Sequence, residues 1–338
     1  MTTDIAFVLT GDPFRNARAL KQVRALAHAG HRVLLLGIEG DAPHPDLPQN
    51  VHVERLPRPP GSGPAWFHAV HRAFRTRLMS LDARCFHASD LYALPSCSAG
   101  ARRNGACLTY DARELYTAVA SVSGRPLVRA FWRWIEHRHI RRTNAVFTVS
   151  GSIADELARR YPIERPVLLP NVPDESGRLS GPGLRELLRR VGVPTGEDEP
   201  LILHLGQMRS DRGCDVLIDA FDRLAGDAAV ADAGARARLV FLGYGPEEAG
   251  LRARATSTRV ADRIHFLAPV DPDRVHAAIS DAAVGVTLLQ DSCLNHRYAL
   301  PNKLFDYFHA GLPVLAARLP EIERVVDGEG LGLTVEPN

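Results

Sequence analysis

The chain has 338 residues, 45% of them hydrophobic and 24% charged, and its 41 basic and 39 acidic residues leave a formal net charge of +2. That length predicts about two domains, and the near-neutral balance advertises no polyanion-binding role, so no nucleic-acid partner is expected. Cys85, Cys97, Cys107, Cys214 and Cys293 are scattered without paired spacing, which argues against a disulfide framework or zinc site and suits a reducing cytoplasm.

The opening MTTDIAFVLTGD is too polar and too short in its apolar run for a signal peptide, and no apolar run nears the ~20 residues of a membrane span. Ile5–Leu9 is continuously apolar, as in a strand buried on both faces of a parallel sheet. A helix is expected from Asn16 to Ala29, stopped by Gly30, and then a strand, His31–Ile38. This order is a βαβ unit, the start of a doubly wound α/β domain. Gly11 lies at the carboxyl end of the first strand, where such sheets place ligands, although it is equally a tight turn. The absence of GxGxxG excludes a nicotinamide-binding fingerprint.

Pro43–Gly63, with PRPPGSG, reads as an irregular exposed connection, and Trp66–Leu78 as a helix. Cys85–His87 is a short strand with His87 and Asp90 at its carboxyl end. Leu108–Asp111 is another, followed by ARELYTA. In the helix Gly124–Arg142, Arg129, Arg133, His137 and Arg141 recur at helical spacing beside Phe131, Trp132 and Trp134. Residues 125–142 therefore carry two readings: a basic amphipathic helix on an anionic membrane surface, or a core helix that buries its aromatic stripe. Ala145–Ser150 is a strand, and Ser150 or Ser152 caps the helix Ile153–Tyr161.

The domains are placed at 1–173 and 199–338, joined by a polar connection, 174–198, that includes a helix at Leu184–Val191. LILHLGQM is a strand reaching its turn at Gly206, with Arg209 and Arg212 beyond it. Guanidinium groups suit phosphate oxygens, and equally serve as surface charge. ARLVFLGYGPEEAGL gives a strand and a turn carrying Gly243, Tyr244 and Gly245. RIHFLAPV and VHAAISDAAVGVTLL continue the alternation. From Leu294 a loop runs to Pro301, then a helix from Asn302 to Ala310, a glycine stop at Gly311 and the strand LPVLAA. Lys303 sits in the helix's first turn, where the dipole disfavours a cation. It is one of only two lysines, with Lys21. An anion beside it would explain that choice; a solvated lysine is the alternative.

The segment ALPNKLFDYFHAGLPVLA resembles the donor-binding segment of glycosyltransferase family 4, the retaining GT-B enzymes. H-A-x-D-L-x-x-L-P from His87 and Y-D-A-x-E-L from Tyr110 resemble paired motifs of one branch, the second of which usually reads D-A-H-E-L. The resemblance implies an α/β chain of GT-B fold: two Rossmann-like doubly wound domains facing a cleft, the second lacking its usual final helices, since the family continues beyond GLTVEPN. It implies retaining, metal-independent sugar transfer with no cofactor. The substrates implied are a UDP-, GDP- or dTDP-sugar donor and a glycan, lipid-linked or small-molecule acceptor.

Residue by residue, it puts the donor diphosphate on Arg209, Arg212 and Lys303, with Asp306 on the ribose. Tyr298, Asn302, Leu304, Gly206, Gly243, Tyr244 and Gly11 would line the nucleotide and sugar. Tyr298 stands where the family has a second glutamate, and Gln207 where it has an arginine. His87, Asp90, Arg113 and Glu114 form the implied catalytic and acceptor-side set, with Asp111 and Glu114 as cleft carboxylates. Arg113 replaces the motif's histidine and cannot exchange a proton near neutrality. Asp281 and Asp291 lack the spacing of a metal-binding pair. A nucleotide-sugar epimerase of the same fold and a non-catalytic nucleotide-sugar binder are the alternatives.

Overall fold

The computed structural model describes residues 3–173, 181–224 and 236–337. It contains two compact units, Met1–Asn171 and Val172–Asn338.

The first unit runs β1 (Thr3–Val8), α1 (Ala17–His28), β2 (Val33–Ile38), β3 (Val51–Leu56), α2 (Gly63–Met79), β4 (Ala83–Ala88), α3 (Leu94–Asn104), β5 (Cys107–Ala112), α4 (Ala120–Ser123), α5 (Pro126–Ile140), β6 (Ala145–Thr148), α6 (Gly151–Arg160) and β7 (Val167–Leu168). Its seven strands pair in the order β3-β2-β1-β4-β5-β6-β7, each pair parallel. The order reverses at β1, so the carboxyl ends of β1 and β4 form the switch point where open α/β sheets bind ligands.

Local chemistry explains the boundaries. The Asn16 side chain accepts from the Ala19 N–H at 3.0 Å and starts α1. Gly30, at φ +89°, lies just past its end, in a region that penalises any Cβ. The Ser150 hydroxyl accepts from the Ile153 N–H and caps α6.

Two expectations are corrected. The stretch Pro43–Gly63 is not wholly irregular, because VHVERL forms β3 in parallel register with β2, Val33 opposite Val51. Val51 and Val53 pack on the core beside α1, while His52 is exposed; the alternation of an edge strand is easily lost beside a proline-rich run. Nor is α5 a core helix burying an aromatic stripe. Only Glu136 and Ile140 are buried in it, whereas Leu127 is 85%, Phe131 52% and Trp134 57% exposed. The helix is fastened at its far end. The buried Glu136 carboxylate accepts from the Tyr110 and Tyr161 hydroxyls at 3.0 and 2.6 Å. Trp132 rests edge-on against Phe67 and Tyr92.

The second unit runs α7 (Leu184–Arg190), β8 (Leu201–Gln207), α8 (Cys214–Leu224), β9 (Arg238–Tyr244), α9 (Glu248–Thr256), β10 (Ile264–Leu267), α10 (Val275–Ile279), β11 (Val284–Thr287), α11 (Leu294–Arg297), α12 (Asn302–His309), β12 (Val314–Ala317), α13 (Pro320–Val326) and β13 (Gly332–Val335). Its six strands are parallel in the order β10-β9-β8-β11-β12-β13. The expected connection 174–198 lies partly outside the described residues, at 174–180. Its helix, α7, buries Leu184 and Leu188 in the core of this unit. Asp281 fixes the start of α7 by accepting from the Leu184 and Arg185 N–H groups, which explains that carboxylate without a ligand. The expected loop before Pro301 contains the short helix α11.

Candidate functional site

In the second unit the turn leaving β8 is built on close backbone approaches. A Cβ on Gly243 would fall 2.0 Å from the Gly206 carbonyl oxygen, and one on Gly245 2.0 Å from that of Met208. Gly213, at φ +63°, would press a Cβ to 2.5 Å from the Leu288 oxygen. Only glycine lets these turns nest together.

Helix α12 stands beside this turn. Its anchor is Tyr307, fully buried, whose hydroxyl accepts from the Leu205 N–H at 2.9 Å and faces the Leu203 and Val286 carbonyls at 3.3 and 3.1 Å. Leu304 is also fully buried, a core residue rather than a contact surface. The same helix then presents Lys303 and Asp306. Lys303 Nζ lies 3.4 Å from His204 Nε2, and its methylene stem passes Gly206, where a Cβ would be 3.9 Å from Cε. Burial, reinforced by the Arg212 charge, pushes the Lys303 ammonium down to about 7. Asp306 lies 3.1 Å from His276 Nε2, and that imidazole stacks on His309.

Arg209 precedes and Arg212 ends a single 3-10 turn, Ser210–Arg212. Asp211 inside it faces His296 Nε2 at 3.1 Å, and Ser292 meets the other ring nitrogen at 2.8 Å. Both arginines act electrostatically on His296, and burial lowers that imidazole's pKa. Arg212, Lys303 and Asp306 thus share one electrostatic neighbourhood, and Gly206 and Gly243 form its floor. Tyr298 is half-buried, just past α11, Asn302 is exposed in the first turn of α12, and Tyr244 is 56% exposed at the end of β9.

In the first unit, His87 is the penultimate residue of β4. Its Nδ1 is 2.8 Å from Thr109 Oγ1, its ring stacks on Phe7 at 4.4 Å, and Nε2 is buried without a hydrogen-bond partner among the described residues. Burial pushes its pKa down to about 4, so the ring is neutral. Asp90, 1% exposed, accepts from the Thr10 N–H and hydroxyl and from the Ala93 N–H at 2.6, 3.0 and 2.8 Å. It ties the exit of β1 to the start of α3. Gly11, at φ +148°, donates no side chain and turns its carbonyl to the Ile38 N–H at 2.8 Å.

Arg113 is half-buried, with Nε donating to the Tyr116 hydroxyl at 3.0 Å, while Glu114 is exposed. Asp111, expected as a cleft carboxylate, is instead fully buried beneath a bidentate Arg18 at 2.8 and 2.9 Å, with Gln22 donating at 3.0 Å. A carboxylate at the end of an apolar strand needs such a partner, and Arg18 lies too far away in sequence to be read as one.

Sequence reasoning missed His204, His276, Tyr307 and the Asp211–His296 pair. A histidine inside the apolar run LILHLG was a visible signal; the others depend on which helix faces which strand. Among the described residues no group of three or more histidine, cysteine or acidic side chains is placed to hold a metal.

Residues 16–172 match the glycosyl transferase 4-like domain, and residues 199–338 match the glycosyl transferases group 1 domain. The chain belongs to the GT-B glycosyltransferases. No curated protein matches this glycosyltransferase significantly. Among solved structures it is similar to sucrose-phosphate synthase (tll1590) from Thermosynechococcus elongatus, with TM-score 0.77 and 16% identity over 99% of this chain and 86% of that one. It is similar to Anabaena Alr3699/HepE in complex with UDP, with TM-score 0.69 and 15% identity over 99% and 86% of the two chains. WaaG, a glycosyltransferase involved in lipopolysaccharide biosynthesis, follows at TM-score 0.66 and 19% identity, over 98% and 86%. At these identities the likeness is one of fold.

Proposed function

We propose that this glycosyltransferase moves a sugar from a uridine-diphosphate donor to a hydroxyl acceptor, with retention at the anomeric carbon and without a metal. The observation that carries the reading is Lys303 passing over the glycine-built turn after β8, with Arg212 on that turn and Asp306 one helical turn along α12 from the lysine. In the proposed complex Arg209, Arg212 and Lys303 hold the diphosphate, helped by the positive end of α12. Asp306 accepts from the ribose hydroxyls. Tyr298 and Asn302 face the donor sugar, and Tyr244 lies toward the base.

As the glycosidic C–O bond to the diphosphate breaks, negative charge grows on the leaving oxygen. Cations already in place stabilise that charge without reorganising, the largest electrostatic contribution open to such a site. They perform the task a divalent ion performs elsewhere, which supports a metal-independent reaction. UDP is the nucleotide proposed because the similar HepE structure is a complex with UDP. His87, Arg113 and Glu114 serve the acceptor side. Arg113 is well suited to clamp an anionic acceptor group, and its Tyr116 partner fixes the fork.

The exposed face of α5 favours an acceptor presented at a lipid surface. Leu127, Phe131 and Trp134 protrude beside Arg125, Arg129 and Arg133, a pattern that suits the cytoplasmic interface of an anionic membrane.

The test is calorimetric titration of UDP into wild-type protein and Asp306→Ala. The variant should lose UDP binding while keeping its circular dichroism spectrum. Undiminished affinity in a folded variant removes the ribose assignment.

A further inference from the structure

Behind Lys303 stands a histidine that the donor site does not itself require. His204 is 1% exposed in the middle of β8. Its ring lies 5.5 Å from that of Phe241. Its Nε2 is 3.4 Å from Lys303 Nζ and 3.5 Å from Cys214 Sγ, and the imidazole has a backbone hydrogen bond at Gln207. A fully buried imidazole beside an ammonium stays neutral, because a second positive charge there would be desolvated and repelled. A neutral ring has one acceptor nitrogen, and Nε2 is the one turned to the lysine.

We propose that His204 is the positioning residue for Lys303: its neutral imidazole accepts from the lysine amine, holds it over Gly206, and helps the amine keep its proton in an otherwise poorly solvated place. The proposal rests on the donor reading only for its consequence. If a diphosphate binds at this turn, the charge it meets on Lys303 is one that His204 helps maintain, and above neutral pH binding takes up a proton from solvent onto Nζ.

The groups acting on that amine come from three elements and the turn between two of them. His204 lies on β8, Arg212 and Asp211 on the turn, Cys214 on α8 and Asp306 on α12. Arg212 opposes the lysine's charge, whereas Cys214, Asp306 and Asp211 favour it. The Cys214 thiol is pushed up to about 11 by burial and stays protonated near neutrality. Among the described residues, His204 Nε2 is the group within hydrogen-bond distance of Nζ, and the acceptor part is assigned to it.

The presence of only two lysines, Lys21 and Lys303, makes the test direct. In protein labelled with 13C at the lysine ε-carbon, the two side-chain signals are followed by NMR from pH 5.5 to 10.5. The variants are His204→Phe, which keeps a ring against Phe241 without acceptor nitrogens, and His204→Gln, which restores an acceptor. The Lys303 midpoint should fall by about one unit in His204→Phe, corresponding to about tenfold in the proton equilibrium, and return toward wild type in His204→Gln.

UDP titrated into the same proteins should bind His204→Phe several-fold more weakly at pH 8, with the deficit shrinking toward pH 6. A Lys303 midpoint unmoved by either substitution overturns the proposal. Should His204→Phe not fold, a His204→Gln midpoint displaced as far as that of a His204→Leu variant overturns it as well. If the midpoints move as stated but no variant or wild type binds UDP, the positioning role stands and the donor reading falls.

Discussion

Tyr307→Phe removes one oxygen and tests whether helix α12 is hung from the central strand of its sheet. The hydroxyl accepts from the Leu205 N–H at 2.9 Å and reaches two main-chain carbonyls at 3.3 and 3.1 Å. The ring itself fits against Gly285, where a Cβ would come within 2.4 Å of it. Phenylalanine therefore fills the same space but leaves the Leu205 N–H without this acceptor. A stranded buried donor costs about 1–3 kcal/mol. In a unit of this size each kcal/mol shifts the melting point by roughly 2–4 °C. The expected loss is about 2–12 °C by scanning calorimetry, in the transition of the second unit. Because Lys303 and Asp306 ride on the same helix, UDP affinity should weaken too. A melting point within 1 °C of wild type refutes the view that this hydroxyl satisfies the backbone.

Other expected outcomes follow from single contacts. Arg18→Met leaves the Asp111 carboxylate buried without its bidentate partner and should destabilise the first unit by roughly 3–5 kcal/mol in urea melts, with Arg18→Met/Asp111→Leu recovering most of the loss. His87 titrates near 4 in the fold against 6.5 in the unfolded chain. The unfolded state therefore binds the extra proton in that window, and stability falls as pH drops from 6.5 to 4, by roughly 3 kcal/mol for this group. Urea melts of His87→Leu across the window should show a shallower slope than wild type, whatever the variant's absolute stability. Anionic vesicles should sediment the wild-type protein at low salt, and Phe131→Ser/Trp134→Ser should remain in the supernatant. Equal partitioning of the two proteins would remove the lipid-surface role of α5.

Much of the fold was legible because a parallel α/β sheet writes itself as buried apolar runs. LILHLGQM and HRVLLLGI announce central strands, and Gly30 and Gly311 mark helix ends. VHVERL was not legible, since an edge strand needs only half its residues to be apolar and its neighbours were proline-rich. The aromatic stripe of α5 shows a different limit. Periodicity reveals a face but not what covers it, and in the structure Phe131 and Trp134 remain exposed while a buried Glu136 fastens the helix. At the donor end, Lys303 stood out as a rare residue type at an unfavourable helix position. Its partner His204 is 99 residues away in sequence, and no spacing rule joins them. Asp90 and Asp111 show the reverse difficulty. A carboxylate at a strand's carboxyl end looks the same in sequence whether it faces substrate or, as with Asp111, closes a buried ion pair.

The central claim is that the turn after β8, together with Lys303 and Asp306, binds a nucleoside diphosphate without metal. The most direct measurement is a thermal-shift series of UDP, GDP, dTDP and ADP in EDTA, on wild type and on Asp306→Ala. A ligand at a hundred times its dissociation constant stabilises by about 2.7 kcal/mol, easily read as a rise in melting point. The account predicts that UDP raises the wild-type melting point in EDTA and leaves that of Asp306→Ala unchanged. No shift with any nucleotide, or the same shift in both proteins, would contradict it.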